Sequence, residues 1–154
     1  MATTGMSIAR LRRSSRVMTL QALFEIDVVG HSPGIVCEYR LEDTDLDESL
    51  SDFVRQIVYG VNPITEQLDQ FIAVHAPEWP LDQVAIIDRN ILRIALWEFA
   101  VYKGTPIKVA INEAVELAKI FGSDSTPRFV NGVLGSLASR QNEIQQSLDK
   151  ILQQ

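Results

Sequence analysis

Apolar residues recur along this chain at three- and four-residue steps, and no stretch alternates with the period of two that a half-buried strand requires. The pattern is clearest from Asp88 to Gly135. Ile91, Leu92, Ala95, Leu96 and Phe99 give one helix an apolar face, and Gly104 breaks it. Thr105 stands where it can cap a second helix, with Pro106 at the first helical position. The inner side of that helix reads Ile107, Ile111, Ala114, Val115, Ala118 and Phe121, and Gly122 reads as a left-handed stop. Ser125 and Thr126 offer hydroxyls to cap a third helix, opened by Pro127 and lined by Phe129, Val130, Val133, Leu134 and Leu137.

Upstream, residues 1–7 are small and polar and are expected to form a disordered tip. From Ile8 to about Val29 the spacing predicts a helix, with Val17, Leu20, Phe24 and Val28 in line and Leu23 beside them. Gly30 to Gly34 is a turn. Leu46, Leu50, Phe53, Ile57 and Val58 continue a helical stripe beneath an acidic segment, residues 38–52. Asn62-Pro63 reads as a cap pair for a helix that turns Ile64, Leu68, Phe71 and Ile72 inward and ends near His75. Trp79, between Pro77 and Pro80, is expected as a packing plug at a corner. Residues 141–154 read as a helical extension or tail. The sum is an all-α bundle of about six to seven helices over residues 8–140, divided into parts of about 8–60 and 61–140.

Composition changes this picture little. Of 154 residues, 46% are apolar and 22% charged, an ordinary balance for a chain that can bury its own core. Cys37 is alone, which excludes an internal disulfide and any multi-cysteine metal site. No apolar run approaches the roughly 18 residues of a membrane span, and the first residues lack the apolar core of a secretory signal. A cytoplasmic protein without membrane attachment is expected.

Charge is more informative. The formal net charge is −6, but through Phe24 the chain carries four arginines and no acid, while from Glu25 onward ten basic residues face twenty acidic ones. A basic start on an acidic body suggests one polyanion-binding surface and a separate basic partner. Arg10, Arg12, Arg13 and Arg16 occupy the first two turns of the first helix, where cations oppose the helix dipole. They read either as a solvated helix end or as phosphate ligands. Arg12 and Arg16 share a face, Arg13 flanks it, and replacing all three with alanine is expected to cost little stability. Phe24 and Phe129 read either as core or as platforms on which single-stranded bases stack, and Arg128 would add a phosphate contact.

Catalytic chemistry is not expected. His31 and His75 have no partner spacing, no glycine-rich loop follows a strand, and Cys37 has no readable base. Asn112, Glu113 and Asn131 read as side chains tying segments together by hydrogen bonds. No cofactor, metal site or catalytic residue is assigned.

The runs RLRRSSRVMTLQALFEID, ILRIALWEF, PIKVAINEAVELAKIFG and RFVNGVL, in that order, resemble the NusB family of bacterial transcription antitermination factors, over roughly residues 8 to 138. The resemblance implies two three-helix halves and binding of the single-stranded boxA element of ribosomal-operon RNA. It implies joint action with NusE, a small-subunit ribosomal protein, within an RNA polymerase complex that resists termination. The family's arginine-rich first helix matches Arg12, Arg13 and Arg16, the aromatic of its QALY-like motif matches Phe24, and its basic–aromatic pair matches Arg128 and Phe129. Ser14 and Ser15 interrupt the arginine run, Phe24 lacks the usual tyrosine hydroxyl, Ser125 stands where some relatives carry an acid, and Gly135 replaces a more usual aspartate. Some members self-associate through the surface that would otherwise meet RNA, so a homodimer is a further expectation.

Two other readings compete. A helical adaptor would use the same arginines on an acidic protein. A related helical module precedes the catalytic part of some ribosomal-RNA cytosine methyltransferases, but these 154 residues hold no strand–glycine-loop–helix for a methyl donor, so the enzyme form is not expected.

Overall fold

The computed structural model describes residues 5–76 and 83–153, with side chains from residue 11 onward. Eight α-helices account for nearly all of them: α1 (Gly5–Val29), α2 (Pro33–Glu42), α3 (Glu48–Val61), α4 (Thr65–Val74), α5 (Ile86–Trp97), α6 (Ile107–Phe121), α7 (Thr126–Ser139) and α8 (Gln141–Leu152). There is no strand among the described residues, as the apolar spacing predicts. The chain divides into two compact units, Met1–Pro63 and Ile64–Gln154. Residues 1–4 of the expected tip, and Trp79 with its flanking prolines, lie outside the described residues; α1 is already helical at Gly5.

In the first unit α1, α2 and α3 pack on one another. Gly30 ends α1 with a φ of 80°, a left-handed conformation that glycine adopts without penalty. Ser32 then caps α2, accepting from the Ile35 N–H at 3.4 Å, and Pro33 takes the first turn. The Asp47 carboxylate caps α3, accepting from the Leu50 N–H at 2.9 Å. Leu20, Leu23, Val36, Cys37, Phe53, Val54, Ile57 and Val58 form the core. The inner face of α1 differs from the spacing-based expectation. Phe24 and Val28 are 37% and 51% exposed, whereas Ser15, Arg16 and Thr19 are buried. There Ser15 Oγ donates across to the Leu50 carbonyl on α3 at 2.9 Å, while Thr19 Oγ1 donates back within α1 to the Ser15 carbonyl at 2.8 Å.

In the second unit α5 lies against α4, α6 and α7, with residues 90–100 all buried. Arg93 ties α5 to α4, donating to both Asp69 carboxylate oxygens at 2.7 Å and to Asn90 Oδ1 at 3.1 Å. The buried guanidinium is met by a bidentate carboxylate, so removing either partner would strand the other's charge. Beyond Trp97 the chain winds one π turn, Glu98–Tyr102, closed by the Lys103 N–H on the Glu98 carbonyl at 2.9 Å.

Several expected caps fall elsewhere. The helix expected to break at Gly104 turns one residue earlier, where Lys103 adopts a left-handed φ of 62°. A side chain at Gly104 would strike the Tyr102 ring at 2.5 Å, so glycine is needed there for clearance. Thr105 is not a cap: its hydroxyl donates to the buried Glu98 carboxylate at 2.8 Å, and Pro106 takes the N-cap position. Gly122 is extended, with φ −89° and ψ −177°, not left-handed; a Cβ there would sit 2.5 Å from the Thr126 side chain. Asn62-Pro63 belongs to a 3-10 turn ahead of α4 rather than capping it. On α6 the most buried side is Ala110, Glu113, Ala114, Leu117 and Ala118, while Ile107, Ile111, Val115 and Phe121 are only partly covered. The stripe is thus turned from the one expected, toward small residues that allow close packing on α5 and α7.

Candidate nucleic-acid interface

The six residues singled out in the sequence fall in both units. Arg12, Arg13, Arg16 and Phe24 are on α1; Arg128 and Phe129 are in the first turn of α7. Each group is assembled by its own unit.

On α1 the arginines are not a simple solvated end. The Arg12 guanidinium carbon lies 4.3 Å, and that of Arg16 5.4 Å, from the centre of the Phe53 ring on α3. A ring's negative face attracts a guanidinium, which when stacked keeps its in-plane N–H donors for other partners. Arg16 is 1% exposed, among the largest fully buried side chains in the protein. It therefore serves first as a packing element between α1 and α3. Arg12 and Arg13 are partly exposed, and Phe24 is 37% exposed. Phe53, which the sequence reading placed only in a core stripe, is the residue that organises the cluster.

In the second unit the N-terminal ends of α5 and α7 converge. Between them lies a cavity of about 440 Å³, lined by Gln83, Val84, Ala85, Asp88, Ser125, Arg128 and Phe129. The volume suits one small planar group. Val84, Ala85 and Phe129 give it apolar walls, exposed Arg128 stands at the rim, and Asp88 supplies an acceptor. Buried Thr126 fixes that carboxylate, its hydroxyl lying 3.2 and 3.1 Å from the two Asp88 oxygens. Thr126 Oγ1 in turn accepts from the Ser123 N–H at 3.0 Å, a contact possible because Gly122 leaves room for the threonine. Burial pushes the Asp88 carboxyl above the usual aspartate value, with the Thr126 hydroxyl partly opposing the shift. Asp88 and Thr126 escaped the sequence reading as site residues. An acid in a first helical turn reads as a dipole partner, and the threonine as a cap.

The groups set aside as non-catalytic are held structurally. His31 Nδ1 is 3.3 Å from Glu25, and His75 Nδ1 is 2.6 Å from Ser136 Oγ. Burial and the charge of Arg140 lower the His75 pKa. Among the described residues, no group of His, Cys, Asp or Glu could hold a metal ion, and no helix is long and apolar enough to cross a membrane.

The pattern that defines the NusB family matches residues 13–139. The chain is 47% identical over 138 residues to a transcription antitermination protein NusB of Roseiflexus sp. strain RS-1, an alignment covering 88% of this chain and 97% of that one. It is similar in structure to NusB of T. maritima, with a TM-score of 0.79 and 30% identity over 86% of this chain and 95% of the other. It also shares its fold with a chain from a crystal structure of the antitermination factors NusB and NusE in complex with dsRNA. There the TM-score is 0.76 and identity 23%, over 83% of this chain and 96% of that one.

Proposed function

The chain belongs to the NusB family, and from that premise we propose that it is a transcription antitermination factor. In this reading it binds the single-stranded boxA element of ribosomal-operon RNA together with the ribosomal protein NusE, in the cytoplasm, as part of an RNA polymerase complex. It acts by binding alone, with no catalytic step.

The observation that carries the reading is the meeting of Phe129, Arg128 and Asp88 at one cavity. A base enters the slot against the Phe129 ring, as single-stranded recognition commonly requires. The Asp88 carboxylate, oriented by Thr126, accepts from an exocyclic amine, and Arg128 holds a flanking phosphate at the rim. On α1, Arg12 and Arg13 neutralise further phosphates, partly exposed Phe24 adds stacking surface, and Arg16 holds the helix in place. The acidic balance beyond Glu25 suits a basic ribosomal protein.

Competition binding tests this. A labelled boxA-like single strand should be displaced by its unlabelled copy and far less by a scrambled strand or by a duplex of the same sequence. Equal displacement by all three would reduce the site to a general polyanion surface.

A further inference from the structure

One surface of the first unit carries none of the residues proposed to meet RNA. Ile35 and Tyr39 lie one turn apart on α2 and are 69% and 74% exposed. With Val28 and Val29 they account for four of the ten large apolar side chains exposed among the described residues, so exposed apolar area concentrates in residues 28–39. Scattered apolar residues on a surface need no explanation, but two large ones one turn apart on a single helix face, with two valines just before them in the chain, offer apolar area to a partner. The opposite side of α2 already buries Val36, Cys37 and Leu41.

The charges around this face select its occupant. Between Pro33 and Val61 there are seven carboxylates and two arginines. Both arginines are engaged within the unit: Arg55 by Glu38 at 2.9 Å, Asp52 at 2.8 Å and Glu48 at 3.4 Å, and Arg40 by Glu25 at 2.9 Å. Glu38 lies between Ile35 and Tyr39 along the helix and also accepts from the Tyr59 hydroxyl at 3.4 Å. Glu42, one turn beyond Glu38, and Asp43 and Asp45 after it are exposed and form no ion pair with a described residue. The result is an apolar ridge edged by unneutralised carboxylates. Nucleic acid is repelled there, and a second copy of the chain would set two acidic faces together.

We propose that the α2 face centred on Ile35 and Tyr39 docks a basic protein segment that presents an apolar side chain among lysines and arginines. The proposal rests on the antitermination reading, whose protein partner it places on this chain. Tyr39 supplies a rigid aromatic anchor of the kind that dominates interface energetics, and it attracts a cation to its ring face. Glu42, Asp43 and Asp45 accept charge-assisted hydrogen bonds and steer the approach.

The test titrates the NusE partner proposed above, from the same organism, into three proteins: the parent, the pair Ile35→Gln and Tyr39→Gln, and the set Glu42→Gln, Asp43→Asn and Asp45→Asn. A boxA-like strand is titrated alone in parallel. The altered side chains are all exposed and glutamine suits a helix, so circular dichroism should match the parent. The apolar pair should lose at least about tenfold in partner affinity, since hot-spot anchors cost that much. The charge set should associate several-fold more slowly at low salt, with a flatter salt dependence. Both should bind RNA alone as the parent does. Partner binding within twofold of the parent in both variants overturns the proposal, as does a parent that binds RNA but no partner. A parent that binds neither overturns the antitermination reading and the proposal together. A doubled solution mass that the glutamine pair abolishes assigns the face to a second copy and overturns it too.

Discussion

Replacing Arg16 with alanine separates the two jobs that the arginine helix performs. Sequence spacing treats Arg12, Arg13 and Arg16 as one exposed cluster whose loss barely touches stability. The structure assigns Arg16 to the interior, 1% exposed with its guanidinium carbon 5.4 Å from the Phe53 ring centre. Truncation removes a cation–π contact of roughly 0.5–2 kcal/mol and the packing of a long aliphatic stem. It also strands whatever polar partners the buried guanidinium satisfies, so the total cost is about 2–4 kcal/mol. For a chain of this size that lowers Tm by roughly 4–16 °C. Arg13→Ala should shift Tm by no more than about 2 °C but weaken RNA binding, reducing the salt slope by about 0.7 per lost phosphate contact. Thermal melts by circular dichroism, paired with RNA titrations at several salt concentrations below the transition, read both effects. An Arg16→Ala protein that melts like the parent yet loses about 0.7 of salt slope would refute the packing role.

Phe129→Ala should cost about 1–3 kcal/mol of RNA affinity through lost stacking while leaving the salt slope unchanged, as measured by titration at several salt concentrations. Asp88 has its pKa raised by burial, so the stability it contributes is present below the ordinary aspartate value of 3.8 and lost as pH rises through the raised value. Asp88→Asn should therefore melt at or above the parent at pH 7 and lose that advantage as pH falls toward 3.8. A deficit independent of pH, in melts across this range, would contradict it. Gly122→Ala places a methyl 2.5 Å from the Thr126 side chain and should lower Tm by several degrees while disturbing the Thr126–Asp88 contact. An unchanged Tm would mean the loop yields freely.

The helices were legible in the sequence because each has to bury a stripe, and a stripe on an α-helix must repeat near 3.6 residues. The ends were less so. Thr105, Gly104 and Gly122 carry the residue types that cap and stop helices, yet side-chain placement decides each: Thr105 donates to the buried Glu98 carboxylate, and the two glycines leave room for the Tyr102 ring and the Thr126 side chain. The candidate site was half legible. Arg128 and Phe129 are adjacent in sequence, but their neighbour Asp88 is 38 residues from Thr126, a pairing that no local pattern announces. Arg16 was misplaced for a related reason. Periodicity counts apolar positions, whereas α1 meets α3 through Ser15 and Arg16, polar residues set against the Leu50 carbonyl and the Phe53 ring.

Joint recognition of a single RNA strand by this chain and a ribosomal protein can be read in one titration. A fluorescent boxA-like oligonucleotide is titrated with the chain alone and then with the chain saturated by NusE from the same organism, at constant salt. The chain alone should bind specifically and the pair more tightly, with Phe129→Ala weakening both. Affinity for boxA no greater than for a scrambled strand, with NusE absent and present alike, would contradict it.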